Sequence, residues 1–194
     1  MLLADQFAAR GYVTLIIEPL NGDPIEVNEF PGVDLQDWIN NGRNGAGPHT
    51  TTEIDPIITE AVSHMTDVLG VQRIGAVGYC FGAKYVVRHL QQSASGGIKA
   101  GFIAHPSFVE EAELASITAP LSIAAAETDA VFPAEMRHRS EEILRENGSV
   151  YQINLFSGVA HGFAVRCNLE ERRQRFAKEQ ALKQAVEFFD CWLL

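Results

Sequence analysis

The sequence predicts an α/β fold, a mostly parallel sheet with helices on both faces. Three observations predict it. Short apolar, β-branched runs alternate with helical stretches along the chain, the pattern of repeated strand–helix–strand crossovers. Those runs are nearly continuous rather than alternating, as in strands buried on both faces. The chain has 194 residues, 46% of them apolar, enough for one domain over residues 1–194 with a sizeable core.

Taken in order, Leu2 to Arg10 reads as a helix stopped by Gly11. Tyr12 to Glu18 (YVTLIIE) reads as a buried strand. Pro19 to Thr52 is rich in Gly, Asn and Pro, with a short helical hint around Leu35 to Ile39. A loop this long is either a lid or binding loop, or a variable surface loop. Residues 53–69 are helical: Ile54, Ile58, Ala61, Met65, Val68 and Leu69 fall on one face, and Gly70 ends the run. Arg73 to Val77 is a strand and Phe81 to Gln92 a helix. Lys99 to Ala104 and Pro120 to Ala126 are strands. Ala134 to Asn147 is a helix before Gly148, Tyr151 to Phe156 a strand, and residues 170–193 a long closing helix.

The formal net charge of −10 repels phosphate backbones and anionic lipid, which argues against nucleic acid or membrane as partner. The one basic cluster, Arg172-Arg173-Gln174-Arg175, is interleaved with Glu170, Glu171 and Glu179 and reads as a solvated helix face. No apolar run approaches the roughly 20 residues that span a bilayer, and Met1-Leu2-Leu3-Ala4-Asp5 lacks the pattern of a secretory signal. Cys80, Cys167 and Cys191 have neither disulfide-framework nor zinc spacing, and no close histidine pair suggests a metal. The expectation is a cytoplasmic protein without metal or cofactor.

The strongest local signal is Gly78-Tyr79-Cys80-Phe81-Gly82, after a strand and before a helix. A nucleophile on such an elbow sits in a strained backbone, and glycines two residues to either side remove Cβ atoms that would clash. The side chain stands at a helix N-terminus, whose partial positive charge favours thiolate over thiol. The Phe81 N–H is placed to hold an oxyanion. The glycines at 75, 78 and 82 miss the dinucleotide spacing, and Gly82-Ala83-Lys84 misses the P-loop. An inert buried cysteine is the bland alternative.

A cysteine nucleophile needs a base, and the base an orienting group. His64, His89 and His138 read as surface residues, and His49 lies in the long loop. His161, in a glycine-containing loop past the last strand, follows both the nucleophile and an acidic loop. Asp129 follows the strand ending at Ala126, where parallel sheets carry their sites. It competes with Glu127 as the acid, and it could instead serve only the N-terminus of the next helix. Chain order favours Asp129. Tyr79, His105, Phe132 and Phe163 flank these residues, either as an aromatic-lined pocket or as core.

At these residues the sequence resembles the dienelactone hydrolase family, particularly its fungal branch. The matching segments are Gly22-Asp23-Pro24, Arg73 to Tyr85, Ala104-His105-Pro106-Ser107-Phe108, Ala124 to Pro133, and Ser157 to Arg166. The resemblance implies an α/β-hydrolase-like three-layer sandwich with a Cys-His-Asp triad at Cys80, His161 and Asp129. It also implies cleavage of a small-molecule ester or lactone without a cofactor, and Arg166 as partner of a substrate carboxylate. In that fold a further strand lies between the runs at 12–18 and 73–77, and no segment here corresponds to it. The expectation is therefore a domain lacking its N-terminal strands, with one oxyanion donor instead of two. The alternative is a non-catalytic or weakly active binding protein on the same scaffold. Oligomeric state has no sequence signal.

Overall fold

A computed structural model describes residues 3–26, 32–91 and 97–194. The chain divides into two compact units, Met1–Val71 and Gln72–Leu194.

In Met1–Val71 the described elements are helices: α1 (Leu3–Ala8), α2 (Leu35–Asn41) and α3 (Thr51–Ser63), the last running into a π turn, His64–Val68. Asp34 caps α2 by accepting from Gln36 N and Asp37 N, and Thr50 with Glu53 forms a capping box on α3. The long stretch read as a loop is therefore organised where it is described. Asp23 ties it together: its carboxylate accepts from Arg43 N at 2.7 Å, Arg43 Nε at 2.9 Å and His49 Nε2 at 2.9 Å. Trp38 Nε1 donates to Asp23 O at 3.1 Å, and its ring meets that of His49 at 4.4 Å. Burial works against the Asp23 charge, but the hydrogen bonds from His49 and Arg43 prevail and hold its pKa at about 2.

Two expectations fail in this unit. The run Tyr12 to Glu18 forms no strand, and Val13 and Ile16 are 84% and 71% exposed. A strand needs a hydrogen-bonding neighbour, and an apolar β-branched run cannot supply its own. The predicted face of the 53–69 helix is also incompletely buried: Ile54 is fully buried, while Val68 and Leu69 are exposed.

Gln72–Leu194 is the predicted α/β architecture. Four strands, β1 (Ile74–Tyr79), β2 (Ile98–Ala104), β3 (Leu121–Thr128) and β4 (Tyr151–Ala160), form one parallel sheet in sequential order. The connections carry α4 (Gly82–His89), α5 (Glu111–Ala115) and α6 (Ala134–Glu146), and α7 (Arg172–Leu193) closes the chain. Among the described residues of this unit, the five-residue α5 is the element not anticipated.

Two glycines show that helices cover both faces. A Cβ on Gly75 would lie 2.7 Å from Leu193 in α7, and one on Gly101 would lie 2.9 Å from Val86 in α4. Gly75 pairs with Ala100, so Gly101 points to the opposite face. The core between the layers is apolar, with Phe102, Ile103, Leu121, Ile123 and Leu144 at 1% exposure or less. Among the described residues no helix is long and apolar enough to cross a membrane.

Candidate active site

The carboxyl ends of the four parallel strands bring the chemically capable side chains together, as the topology requires. β1 delivers Cys80 on its elbow. Cys80 has φ 53°, a left-handed conformation costly for a residue with a Cβ. Three backbone bonds hold it there: Cys80 N donates to Ala104 O at 3.1 Å, and Cys80 O accepts from Ala83 N and Ser107 N, each at 3.1 Å. Gly78 is sterically required, since a Cβ there would fall 2.5 Å from Gly82 O. Gly82 is not: a Cβ would meet nothing within 4 Å, so only one of the two flanking glycines does what was expected of both.

β3 delivers the acid. Asp129 Oδ1 accepts from Val131 N at 2.8 Å and Phe132 N at 2.9 Å, which fixes the carboxylate. His161, just past β4, is anchored by its N–H on Thr128 O at 3.2 Å. Its Nδ1 lies 2.8 Å from Asp129 Oδ2 and its Nε2 lies 3.2 Å from Cys80 Sγ. An ionised carboxylate only accepts, so Nδ1 carries a proton and Nε2 faces the sulfur. Glu127, the competing acid, is turned elsewhere and accepts from Gly158 N at 2.7 Å.

The electrostatics agree with a charged pair. Burial alone would push the Cys80 thiol up, but hydrogen bonds with His161 and Ser107, the His161 charge and the Phe81 N–H bring it below the ordinary thiol range. Burial opposes protonation of His161, yet its bonds with Cys80 and Asp129 raise it above an ordinary histidine. The Phe81 N–H lends the Cys80 sulfur a backbone hydrogen bond.

Aromatic rings gather around His105 beside His161. The His105 ring lies 5.0 Å from His161, 5.6 Å from Phe163 and 6.1 Å from Tyr79. His105, Phe132 and Phe163 are buried, and Tyr79 and Phe81 are partly exposed. Burial above all, then the neighbouring His161 charge, lowers the pKa of His105 to about 3, so it stays neutral. Arg166 N donates to Gly162 O at 2.7 Å. Its guanidinium lies over Gly162, whose φ is 90° and where a Cβ would be 2.9 Å from Arg166 Nη2.

Two features escaped the sequence reading. The Ser107 hydroxyl lies 3.3 Å from Cys80 Sγ and 3.5 Å from His161 Nε2. Lys84, buried on α4, donates to Phe108 O at 3.0 Å, Glu110 at 2.9 Å and Glu113 at 2.7 Å, tying the segment after Ser107 to the elbow's helix. The quoted segment around His105 contained Ser107, and nothing local distinguished it. A groove of about 1030 Å³ between β4 and the start of α7 includes Glu127 and Ser157 but none of Cys80, Asp129 and His161. The convergence of Cys80, His161 and Asp129, not the size of that groove, marks the candidate site.

The model of the "Dienelactone hydrolase family" matches residues 1–193. "Hydrolase pyvD" of Aspergillus violaceofuscus is 47% identical over 99% of this chain and 74% of its own length. "Dienlactone hydrolase 1" of Gibberella moniliformis is 36% identical over 99% of this chain and 73% of its own length. The solved acylaminoacyl peptidase of Pyrococcus horikoshii superposes with a TM-score of 0.62 at 18% identity, over 75% of this chain and 28% of that one, a likeness of fold alone. The chain belongs to the dienelactone hydrolase family, a group of ester- and lactone-cleaving α/β enzymes.

Proposed function

We propose that this chain hydrolyses a small ester or lactone through an acyl-enzyme on Cys80, with His161 as general base and acid and Asp129 as its orienting carboxylate. The observation that carries the reading is the line of contacts from Asp129 through His161 to Cys80, 2.8 Å and 3.2 Å long, on a strained strand-to-helix elbow. His161 Nε2 takes the Cys80 proton and the sulfur attacks the carbonyl carbon. The oxyanion that forms is held by the Phe81 N–H. The C–O bond breaks as the alkoxide takes the proton from His161 Nε2, leaving a thioester. In a lactone the released hydroxyl stays attached to the acyl chain. His161 then draws a proton from water, whose oxygen attacks the thioester, and the C–S bond breaks to free the acid and Cys80. A thiolate expels an alkoxide more readily than an amine, which favours ester-like bonds over amides.

Arg166 is the candidate partner for a substrate carboxylate, and Tyr79, His105, Phe132 and Phe163 are the candidate aromatic wall of the substrate site. No step of this route calls on a cofactor. The test is a panel of aryl esters and unsaturated lactones offered to the wild type and to Cys80→Ala. Turnover by the wild type and its loss in the variant are expected. Near-normal hydrolysis of an activated ester by Cys80→Ala would overturn the mechanism.

A further inference from the structure

Ser107 stands where two chemically active atoms converge. Its Oγ, 3.3 Å from Cys80 Sγ and 3.5 Å from His161 Nε2, completes a triangle whose third side is the 3.2 Å contact between sulfur and imidazole. The residue is 3% exposed, so water competes poorly for its hydroxyl. Its N–H donates to Cys80 O, so backbone and side chain both grip the elbow. The Lys84 contacts to Phe108 O and Glu113 hold the following residues in place.

A hydroxyl in this position responds differently to the two states of the pair. With Cys80 as thiol and His161 neutral, the hydroxyl can only relay between neutral groups, accepting from the weak S–H donor and donating to Nε2, because Nδ1 is committed to Asp129. With Cys80 as thiolate and His161 charged, each group finds a complement. Nε2–H is a donor, the sulfur is an anionic acceptor, and the hydroxyl gives its proton to sulfur. Hydrogen bonds to a charged group are roughly twice as strong as neutral ones, so the hydroxyl favours the charged state.

We propose that Ser107 is a positioning residue that donates its hydroxyl proton to the Cys80 sulfur and so sustains the thiolate–imidazolium pair. This rests on the reading of Cys80 as nucleophile and His161 as base. Other groups around the sulfur approach it from other directions. The Phe81 N–H and the α4 N-terminus act from the elbow, and His161, backed by Asp129, acts from past β4. His105 and Tyr79 are kept neutral by burial. Arg166 is close enough for its charge to act on His105. The Lys84 ammonium is engaged by Glu110, Glu113 and Phe108 O.

The experiment is the pH dependence of Cys80 alkylation by iodoacetamide, with peptide mapping to separate Cys80 from Cys167 and Cys191. It is run on the wild type, Ser107→Ala, Ser107→Gly and His161→Ala. The wild type should react below the pH range of an ordinary thiol. Removing the hydroxyl should move the titration up by about one pH unit, a tenfold change in the thiolate equilibrium. Ser107→Gly makes the least demand on packing and should give the same shift where Ser107→Ala folds poorly. An unshifted Cys80 titration in either folded Ser107 variant overturns the proposal and leaves the Cys80–His161 reading standing. An ordinary thiol in the wild type, unchanged in His161→Ala, overturns that reading itself and this inference with it.

Discussion

The two units each contain an aspartate–histidine pair of nearly the same length, and the pairs sit in different surroundings. Asp23 Oδ2 lies 2.9 Å from His49 Nε2, and Asp129 Oδ2 lies 2.8 Å from His161 Nδ1. His49 is 1% exposed and packs its ring on Trp38, while its carboxylate also takes two bonds from Arg43. That network fastens a loop. The His161 side chain is 16% exposed, and its second ring nitrogen meets a sulfur held on a strained backbone. A carboxylate–imidazole bond is therefore not a sign of chemistry by itself. The partner of the second nitrogen and access from solvent decide whether it builds a structure or prepares a reaction.

The comparison can be broken most sharply at the histidines. His161→Ala should lower the hydrolysis rate on the order of a thousandfold or more, and adding Cys80→Ala should cost little further, because in the proposed mechanism base and nucleophile act as one unit. The same exchange at His49 should be read instead in lost hydrogen-exchange protection of α2 and α3. A His161→Ala enzyme retaining most of its rate would erase the distinction.

Next in size is Asp23→Ala, which leaves buried His49 without its carboxylate. A loss of about 3 kcal/mol is expected, seen as faster amide exchange in α2 and α3. Unchanged protection in both helices would show that the network fastens nothing.

Acid should sharpen the difference further. The folded Asp23 carboxyl, held at about 2, lies below its unfolded value of roughly 3.9. Its contribution to stability is complete above the unfolded value and is lost as pH falls through the folded one. Protection of α2 and α3 should therefore decline between about pH 4 and 2, and Asp23→Asn should flatten that decline. An identical acid profile in the variant would assign the effect to other carboxylates.

The smallest effect is expected at Arg166. Arg166→Ala should raise the Michaelis constant of a carboxylate-bearing lactone by about tenfold and leave a neutral aryl ester almost untouched. Equal changes in both would remove Arg166 from substrate recognition.

Much of Gln72–Leu194 was legible because its signals are local. Runs such as Ile74 to Val77 and Leu121 to Ala126 have a strand's composition, and the amphipathic period of α6 and α7 is complete within each helix. The elbow was legible for the same reason, since Gly78 faces Gly82 and Ala83 only a few residues along the chain. The run 12–18 misled because a strand's stability resides in its neighbour. The long stretch after it hid its order because Asp23 meets Arg43 and His49 across 20 and 26 residues.

The sequence by itself determined the alternation of elements, the strained turn at Cys80 and the chain order that singled out Asp129 and His161. These follow from steric limits and periodicities that act over a few residues. Only the tertiary structure decided that Gly82 is free of steric demand, that Glu127 turns to Gly158 while Asp129 turns to His161, and that Ser107 reaches both sulfur and imidazole. Those outcomes depend on where the ends of separate strands meet in the folded sheet. Hydrogen bonds that form or fail over a few tenths of an ångström have no trace in the local pattern of residues.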